Sequence, residues 1–233
     1  MKVRVGSKFL RLHLIAGSLV FASMILLLAA IAEDVVRDEP LTVVDAQFSN
    51  WLHLNGSPGL TRLMLVITSF GATWTVVLVT VAFLIYLRSR RSLYWMVTVV
   101  SAVLGGMLLN RFLKLIFHRP RPYFEDPILT LTSFSFPSGH TIIATVLYGV
   151  MAAYFIAQTR SSRRRVLITL AAGLMIALVG FSRIYLGAHY LTDVLAAMAE
   201  GLAWLSLCLT LAYSIWLSRS RHGTPTDGDK KAG

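Results

Sequence analysis

The chain has 233 residues, of which 56% are hydrophobic and 14% are charged, and its mean hydropathy is +0.68. Soluble domains carry about 25% charged residues, so the composition excludes an ordinary soluble protein, and it equally excludes disordered, collagen-like and disulfide-rich classes. The 22 basic and 11 acidic residues give a net charge of +11, but they lie between apolar runs rather than on one polar face. We therefore expect membrane lipids, and no nucleic acid, as partners.

The first apolar run covers residues 13–32. Four basic residues precede it, and Glu33 and Asp34 follow it. A cleaved signal peptide is the alternative, because Ala30-Ile31-Ala32 resembles a cleavage site. The run is longer than the roughly 7–15 apolar residues of a signal core, so we interpret it as a retained membrane span.

The next segment has helical apolar spacing at Val44, Phe48, Trp51 and Leu52. Such a segment can lie in the outer membrane interface, or it can pack against the spans. The first interpretation is favoured slightly.

Five further apolar runs are long enough, or nearly so, to cross a bilayer as helices. They are 70–87, 92–113, 141–158, 166–185 and 193–217. The stretch 60–67 is also apolar, which leaves the start of the second span open. The sequence thus predicts an all-α, polytopic membrane protein, with a six-transmembrane-helix domain over residues 1–217 and a polar, disordered tail over 218–233.

The basic residues predict the orientation. If six spans alternate, fifteen of the 22 Lys and Arg residues fall on one side, in the N-terminal segment, two loops and the tail. The positive-inside rule makes that side cytoplasmic, with both termini inside. The short basic loops favour a bacterial inner (cell) membrane, and the opposite side is then periplasmic or extracellular.

Three short segments on the predicted outer side carry polar residues that topology does not explain. They are 114–122, 136–140 and 182–193. Lys114, Arg121 and Arg183 can surround a phosphoryl group, because a guanidinium offers planar paired donors to phosphate oxygens.

The second segment, Pro137-Ser138-Gly139-His140, has the pattern of a helix start. Ser138 fits an N-cap, and Gly139 lets free backbone N–H groups approach an anion closely. His140 follows and can donate a proton. In the third segment His189 and Asp193 are four residues apart, so a carboxylate can hold one imidazole nitrogen as N–H and leave the other free to attack.

These three segments resemble the signature motifs of the type 2 phosphatidic acid phosphatase superfamily. The matching patterns are Lys114-x6-Arg121-Pro122, Pro137-Ser138-Gly139-His140 and Ser182-Arg183-x5-His189-x3-Asp193. The motifs are specific for the family and not for its substrate. The resemblance implies an integral membrane phosphatase whose active site lies at the outer membrane face.

The resemblance also implies a role for each matching residue. His189 is the expected nucleophile, forming a phosphohistidine, Asp193 orients it, and His140 is the general acid. The phosphoryl oxygens are held by Lys114, Arg121, Ser138, Gly139 and Arg183. No cofactor and no metal ion are expected, because fixed cations and N–H donors supply the charge stabilisation.

The expected activity is hydrolysis of a terminal phosphate from a lipid phosphate or pyrophosphate, of the undecaprenyl pyrophosphate or phosphatidylglycerophosphate/phosphatidate type. A small soluble phosphate ester is the rival substrate, and a non-catalytic lipid-binding protein is the non-enzyme alternative. His118 and Arg119 are not signature positions and can touch substrate or headgroups. Glu200 is either a functional acid within the membrane or a hydrogen-bonding group within the bundle.

Overall fold

The computed structural model describes residues 7–37 and 40–222, with side chains described for 11–37 and 40–217. Every regular element in these ranges is an α-helix. The helices are α1 (Ser7–Val36), α2 (Pro40–Leu54), α3 (Pro58–Ser69), α4 (Thr73–Ser89), α5 (Leu93–Phe117), α6 (Gly139–Gln158), α7 (Ser162–Tyr185) and α8 (Leu191–His222).

The described helices provide five to six candidate membrane spans. Among the described residues, α1, α5, α6, α7 and α8 are each long and apolar enough to cross a membrane, and α3 and α4 meet the same criteria only when taken together, with a bend of 44° at a short break. The predicted all-α, multi-pass architecture is confirmed. The break resolves the open start of the second span, because the apolar stretch 60–67 is a helix of its own, α3.

The centre of the bundle is α6, which packs against α4, α5, α7 and α8. Its residues Ile142, Val146 and Val150 are fully buried, and they meet Val99 and Val103 of α5 in the main apolar core. α1 lies at the edge and packs along α8. Large apolar side chains such as those of Leu78 and Leu108 point outward, as expected where hydrocarbon replaces water around the protein.

The segment with helical apolar spacing forms α2, which packs against α1, α7 and α8. Asp45, Ser49 and Leu52, at i, i+4 and i+7, form its buried face, whereas Val44 and Trp51 are exposed. Packing on the spans, the less favoured interpretation, therefore describes one face of this helix. That the other face meets the membrane interface stays a prediction.

Two loops complete the end of the bundle where α2 lies. One runs from His118 to Ser138, and the other joins α7 to α8 through Gly187, whose φ is +67°. A side chain at Gly187 would be strained at this φ and would also overlap the ring of Phe124. At the opposite end α8 continues past Leu217 to His222, so the first five residues of the tail predicted as disordered over 218–233 are helical. Residues 223–233 lie outside the described residues.

Candidate active site

The three polar segments converge at this end of the bundle. Lys114 lies in the last turn of α5, Arg121 in the loop that follows, and Ser138, Gly139 and His140 at the start of α6. Arg183 lies in the last turn of α7, and His189 and Asp193 flank the start of α8. All eight predicted site residues are thus brought together, although they come from stretches up to 79 positions apart (114 to 193).

The imidazole of His189 is held from both sides. Its Nδ1 lies 3.3 Å from Oδ2 of Asp193, and its Nε2 lies 3.3 Å from Nη1 of Arg121. A guanidinium only donates hydrogen bonds, so Nε2 is the acceptor and Nδ1 carries the proton toward Asp193. Burial lowers the pKa of His189 to about 4, although Asp193 opposes this effect. The ring is therefore neutral at pH 7, with a lone pair on Nε2.

Asp193 is fully buried and receives hydrogen bonds from several directions. Oδ2 accepts from the hydroxyl of Ser135 and from the backbone N–H of Tyr190 at 3.0 Å, besides its contact with His189. Oδ1 accepts from Nη1 of Arg119 at 2.6 Å. These donors fix the plane of the carboxylate.

Three basic side chains surround the free face of the site. Lys114 donates to the carbonyls of Phe134 at 2.5 Å and Ser135 at 3.2 Å. Arg121 donates through Nε to the carbonyl of Ser133 at 2.7 Å and also contacts the carbonyl of Ala188. Burial lowers the pKa of Arg121, and Asp193 opposes this.

Arg183 is buried and donates through Nη1 to the hydroxyl of Thr68 in α3 at 2.8 Å. Its Nε has no hydrogen-bond partner among the described residues. Since a buried donor without an acceptor is costly, this atom is suited to receive an oxygen of a bound phosphoryl group.

The N-terminus of α6 points into the same cluster. Ser138 caps the helix in extended backbone, with no side-chain cap hydrogen bond, and its N–H donates to the carbonyl of Asp193 at 3.1 Å. The first N–H groups of a helix have no partner within it, so those that follow Ser138 can bind an anion. His140 lies within electrostatic range of Arg183, His189, Arg121 and Lys114.

The structure adds residues that the motifs do not include. Arg119 is buried against Asp193 and Asp45 of α2 and its guanidinium lies 4.3 Å from the ring centroid of Tyr190, so it contacts the protein rather than exposed headgroups. One feature of the sequence indicates that Asp45 is buried: its spacing places it on the same helix face as Ser49 and the apolar Leu52.

Two further residues, Glu200 and His118, contact other protein side chains. Glu200 is buried in α8, where Oε2 accepts from Asn110 Nδ2 at 3.2 Å, and the same amide lies 3.4 Å from the carbonyl of Pro137. Glu200 thus makes a hydrogen bond within the bundle, as one of its two interpretations predicted. His118 is exposed, and its ring packs edge-on against Phe134 at 4.4 Å between centroids.

The arrangement suits phosphoryl transfer. The neutral imidazole of His189 presents its Nε2 lone pair to Arg121 at 3.3 Å. Lys114, Arg183 and the N-terminus of α6 lie in the same cluster, and together these positive groups can neutralise a phosphoryl group. Within the described part of the chain, no group of three or more His, Cys, Asp and Glu side chains is placed to hold a metal ion.

Comparison with known proteins identifies the family. The PAP2 superfamily model matches residues 94–217. Phosphatidylglycerophosphatase B of Bacillus subtilis is 32% identical over 78% of this chain and 87% of its own length. Lipid A 4'-phosphatase of Porphyromonas gingivalis is 29% identical over 79% of this chain and 81% of its own.

The fold agrees with that result. The crystal structure of a transmembrane PAP2-type phosphatidylglycerolphosphate phosphatase from Bacillus subtilis superimposes with a TM-score of 0.77 and 30% identity, over 84% of this chain and 96% of that one. The chain belongs to the PAP2 superfamily, as the motifs indicated. It is a multi-pass membrane phosphatase.

Proposed function

We propose that the protein hydrolyses the terminal phosphate of a phospholipid phosphate monoester, of the phosphatidylglycerophosphate type, through a phosphohistidine at His189. One observation carries the proposal: Nε2 of His189 faces Arg121 at 3.3 Å while Nδ1 faces Asp193 at 3.3 Å. The nitrogen that carries the lone pair thus points toward Arg121, one of the cations that would hold the phosphoryl group. The 32% identity to a phosphatidylglycerophosphatase over most of both chains supports this lipid class.

The first step transfers the phosphoryl group to the enzyme. The Nε2 lone pair of His189 attacks phosphorus, the P–O ester bond breaks, and protonated His140 gives its proton to the leaving alkoxide. Lys114, Arg121, Arg183 and the N-terminus of α6 hold the three equatorial oxygens. A bound dianionic phosphate offsets the positive charges around His140, which favours the protonated ring.

The second step releases phosphate. Neutral His140 takes a proton from water, the water oxygen attacks phosphorus, and the P–N bond breaks to return the electron pair to His189. Asp193 stabilises the positive ring of the intermediate and keeps Nδ1 protonated. Both histidines end in their starting states, so the cycle needs no other reactant.

The site lies at an end of the bundle, which suits a substrate whose headgroup is wet and whose acyl chains stay in lipid. We place this end on the outer side of a bacterial inner membrane, because most basic residues lie at the other end. The substrate pool is then the outer leaflet.

Phosphate release by the purified protein in one detergent tests the substrate. We expect phosphatidylglycerophosphate to give the highest kcat/KM among that lipid, phosphatidate, undecaprenyl pyrophosphate, a lipid A and glucose 6-phosphate. A higher kcat/KM for undecaprenyl pyrophosphate or lipid A would overturn the lipid class, and a preference for glucose 6-phosphate would overturn a lipid substrate altogether.

Trapping the intermediate tests the nucleophile. With ³²P-labelled substrate and an alkaline quench, wild-type protein is expected to carry an alkali-stable, acid-labile label that is absent from His189→Gln. That variant should also lose at least about 10³-fold in kcat. Equal labelling of His189→Gln would contradict the assignment.

A further inference from the structure

Arg119 bridges two buried carboxylates that come from different helices. Its Nη1 lies 2.6 Å from Oδ1 of Asp193 in α8, and its Nη2 lies 2.9 Å from Oδ2 of Asp45 in α2. The exposed fractions of the three side chains are 9%, 0% and 1%. Asp45 and Asp193 are 148 positions apart, so only the packing of α2 on α8 brings them together.

Asp45 also holds the start of α8. Its Oδ1 accepts from the backbone N–H of Thr192 at 3.0 Å, and its Oδ2 accepts from the hydroxyl of Thr192. That hydroxyl accepts in turn from Nη1 of Arg119 at 2.8 Å. The first N–H groups of a helix lack partners within it. Asp45, a residue of α2, therefore caps α8 by accepting from Thr192, the residue that precedes Asp193.

The charges in this network depend on one another. Burial opposes the charge of Arg119, but Asp193 and Asp45 outweigh it and raise the pKa of Arg119. One guanidinium therefore compensates two buried carboxylates. Removing either partner of a buried ion pair leaves an uncompensated charge, which is strongly unfavourable.

We propose that Arg119 and Asp45 are positioning residues for the nucleophile. Arg119 occupies Oδ1 of Asp193 and so directs Oδ2 toward Nδ1 of His189, while Asp45 holds Arg119 and the first turn of α8 in place. Neither side chain hydrogen-bonds to Lys114, Arg121 or Arg183; their partners are Thr192, Asp193 and each other. The inference rests on the proposed function, because it assigns both residues to the support of a nucleophilic His189.

A purely structural tie between α2 and α8 would stabilise the fold without affecting His189. The two roles differ in what they predict for the ring, which is faced by Asp193 of α8, Arg121 of the loop, Arg183 of α7 and His140 of α6. If Arg119 acts through Asp193, its loss makes Asp193 easier to protonate and weakens its hold on Nδ1.

The kinetic test uses Arg119→Gln, Arg119→Lys and Asp45→Asn, with Arg62→Gln as the matched control, since Arg62 is an exposed basic residue of α3. We expect kcat to fall about 10–100-fold in Arg119→Gln, the scale found when outer partners of metal-bound histidines are removed. Asp45→Asn should fall less, Arg119→Lys should recover part of the loss, and the control should match wild type. The Ki of inorganic phosphate should stay within about twofold of wild type throughout.

The acidic limb of the kcat/KM profile should move to higher pH in Arg119→Gln, because Asp193 takes up a proton more readily without the guanidinium. Asp45→Asn combined with Arg119→Gln should cost less than the sum of the two single changes, since the double variant carries one fewer uncompensated carboxylate. The proposal would be overturned if kcat fell only in proportion to a lower Tm while the acidic limb of the kcat/KM profile stayed at its wild-type pH. If Arg119→Gln does not fold, Asp45→Asn and Arg119→Lys decide by the same criteria.

A measurement that needs no turnover separates this inference from the proposed function. With ¹⁵N-labelled histidine, the His189 signal, identified by its absence in His189→Gln, should report protonated Nδ1 in wild type. In Arg119→Gln it should show mixed tautomers. An unchanged tautomer would overturn the inference even if the enzyme is active. A changed tautomer in a protein that hydrolyses no phosphate would support it while the proposed function fails.

Discussion

Asp193 is fully buried, and its carboxylate is stable there because donors surround both oxygens. An unpaired polar atom in a low dielectric costs more than a hydrogen bond returns. Among the described residues, Oγ of Ser49 and Oε1 of Glu200 are buried without a partner, and so is Nε of Arg183. It lies where a phosphoryl oxygen would supply the acceptor.

The pKa of His189 leads to a prediction about pH. The value of about 4, against an ordinary 6.5, means that the unfolded chain takes up a proton between these pH values and the native protein does not. The stability contributed by the neutral buried ring is complete above pH 6.5 and is lost as the pH falls toward 4. NMR titration of the His189 ring should give a native midpoint near 4, whereas a midpoint near 6.5 would contradict the buried environment.

Metal independence is a second prediction for the site. We expect full activity in EDTA, because under the proposed function Lys114, Arg121, Arg183 and the N-terminus of α6 would neutralise the phosphoryl charge. Vanadate, which can mimic a five-coordinate phosphoryl group, should inhibit. The measurement is phosphate release with and without EDTA, and a loss that Mg²⁺ restores would contradict the roles given to the cations.

At the scale of helices, the break between α3 and α4 packs closely against the start of α6, where His140 lies. A Cβ at Gly71 would lie 2.6 Å from Cγ1 of Val179 and 3.2 Å from Cβ of His140. Tyr148 of α6 donates to the carbonyl of Phe70 at 2.9 Å. The bend therefore lets the chain approach the first turn of α6, while Thr68 at the end of α3 holds Arg183.

Gly71→Ala tests this close approach. The added methyl group must displace Val179 or the backbone at His140, so we expect kcat to fall several-fold. We also expect a lower Tm, because overpacking typically costs about 1–3 kcal/mol of stability. Gly59→Ala is the control, because a Cβ there meets nothing within 4 Å. Equal activity and Tm for both variants would show that the break tolerates a side chain.

At the scale of the whole molecule, orientation decides which lipid pool the enzyme serves. The polar segments and α2 lie at one end of the bundle, and the basic loops 88–91 and 160–165 lie at the other. The preference for retaining Lys and Arg in the cytoplasm applies to short loops such as these. The basic residues of the site oppose the orientation that we propose, but they are fewer, and the proposed phosphate binding gives a chemical reason for their position.

Cysteine labelling in intact cells tests the orientation in a Cys208→Ser background. A cysteine at Pro127, in the exposed loop before α6, should react with an impermeant thiol reagent. A cysteine at Ser162, at the start of α7, should react only after the cells are permeabilised. The reverse pattern would place the site in the cytoplasm and exclude an outer-leaflet substrate.

The sequence alone determined the multi-pass, all-α class and the family, because hydropathy is a sum over neighbouring residues and the motifs are contiguous stretches. It also predicted that His189 and Asp193 would meet, since four positions at a helix start is a local spacing. The structure places their facing atoms 3.3 Å apart.

Only the tertiary structure decided the rest. Arg119 lies two positions before the signature Arg121, and Asp45 lies in an apolar segment. Nothing in either neighbourhood predicts that one guanidinium joins α2 to α8. The partner of Glu200, Asn110, is likewise 90 positions away. Such pairings depend on which helix faces pack together, and the free energy that selects that packing is distributed over the whole bundle rather than carried by any one segment.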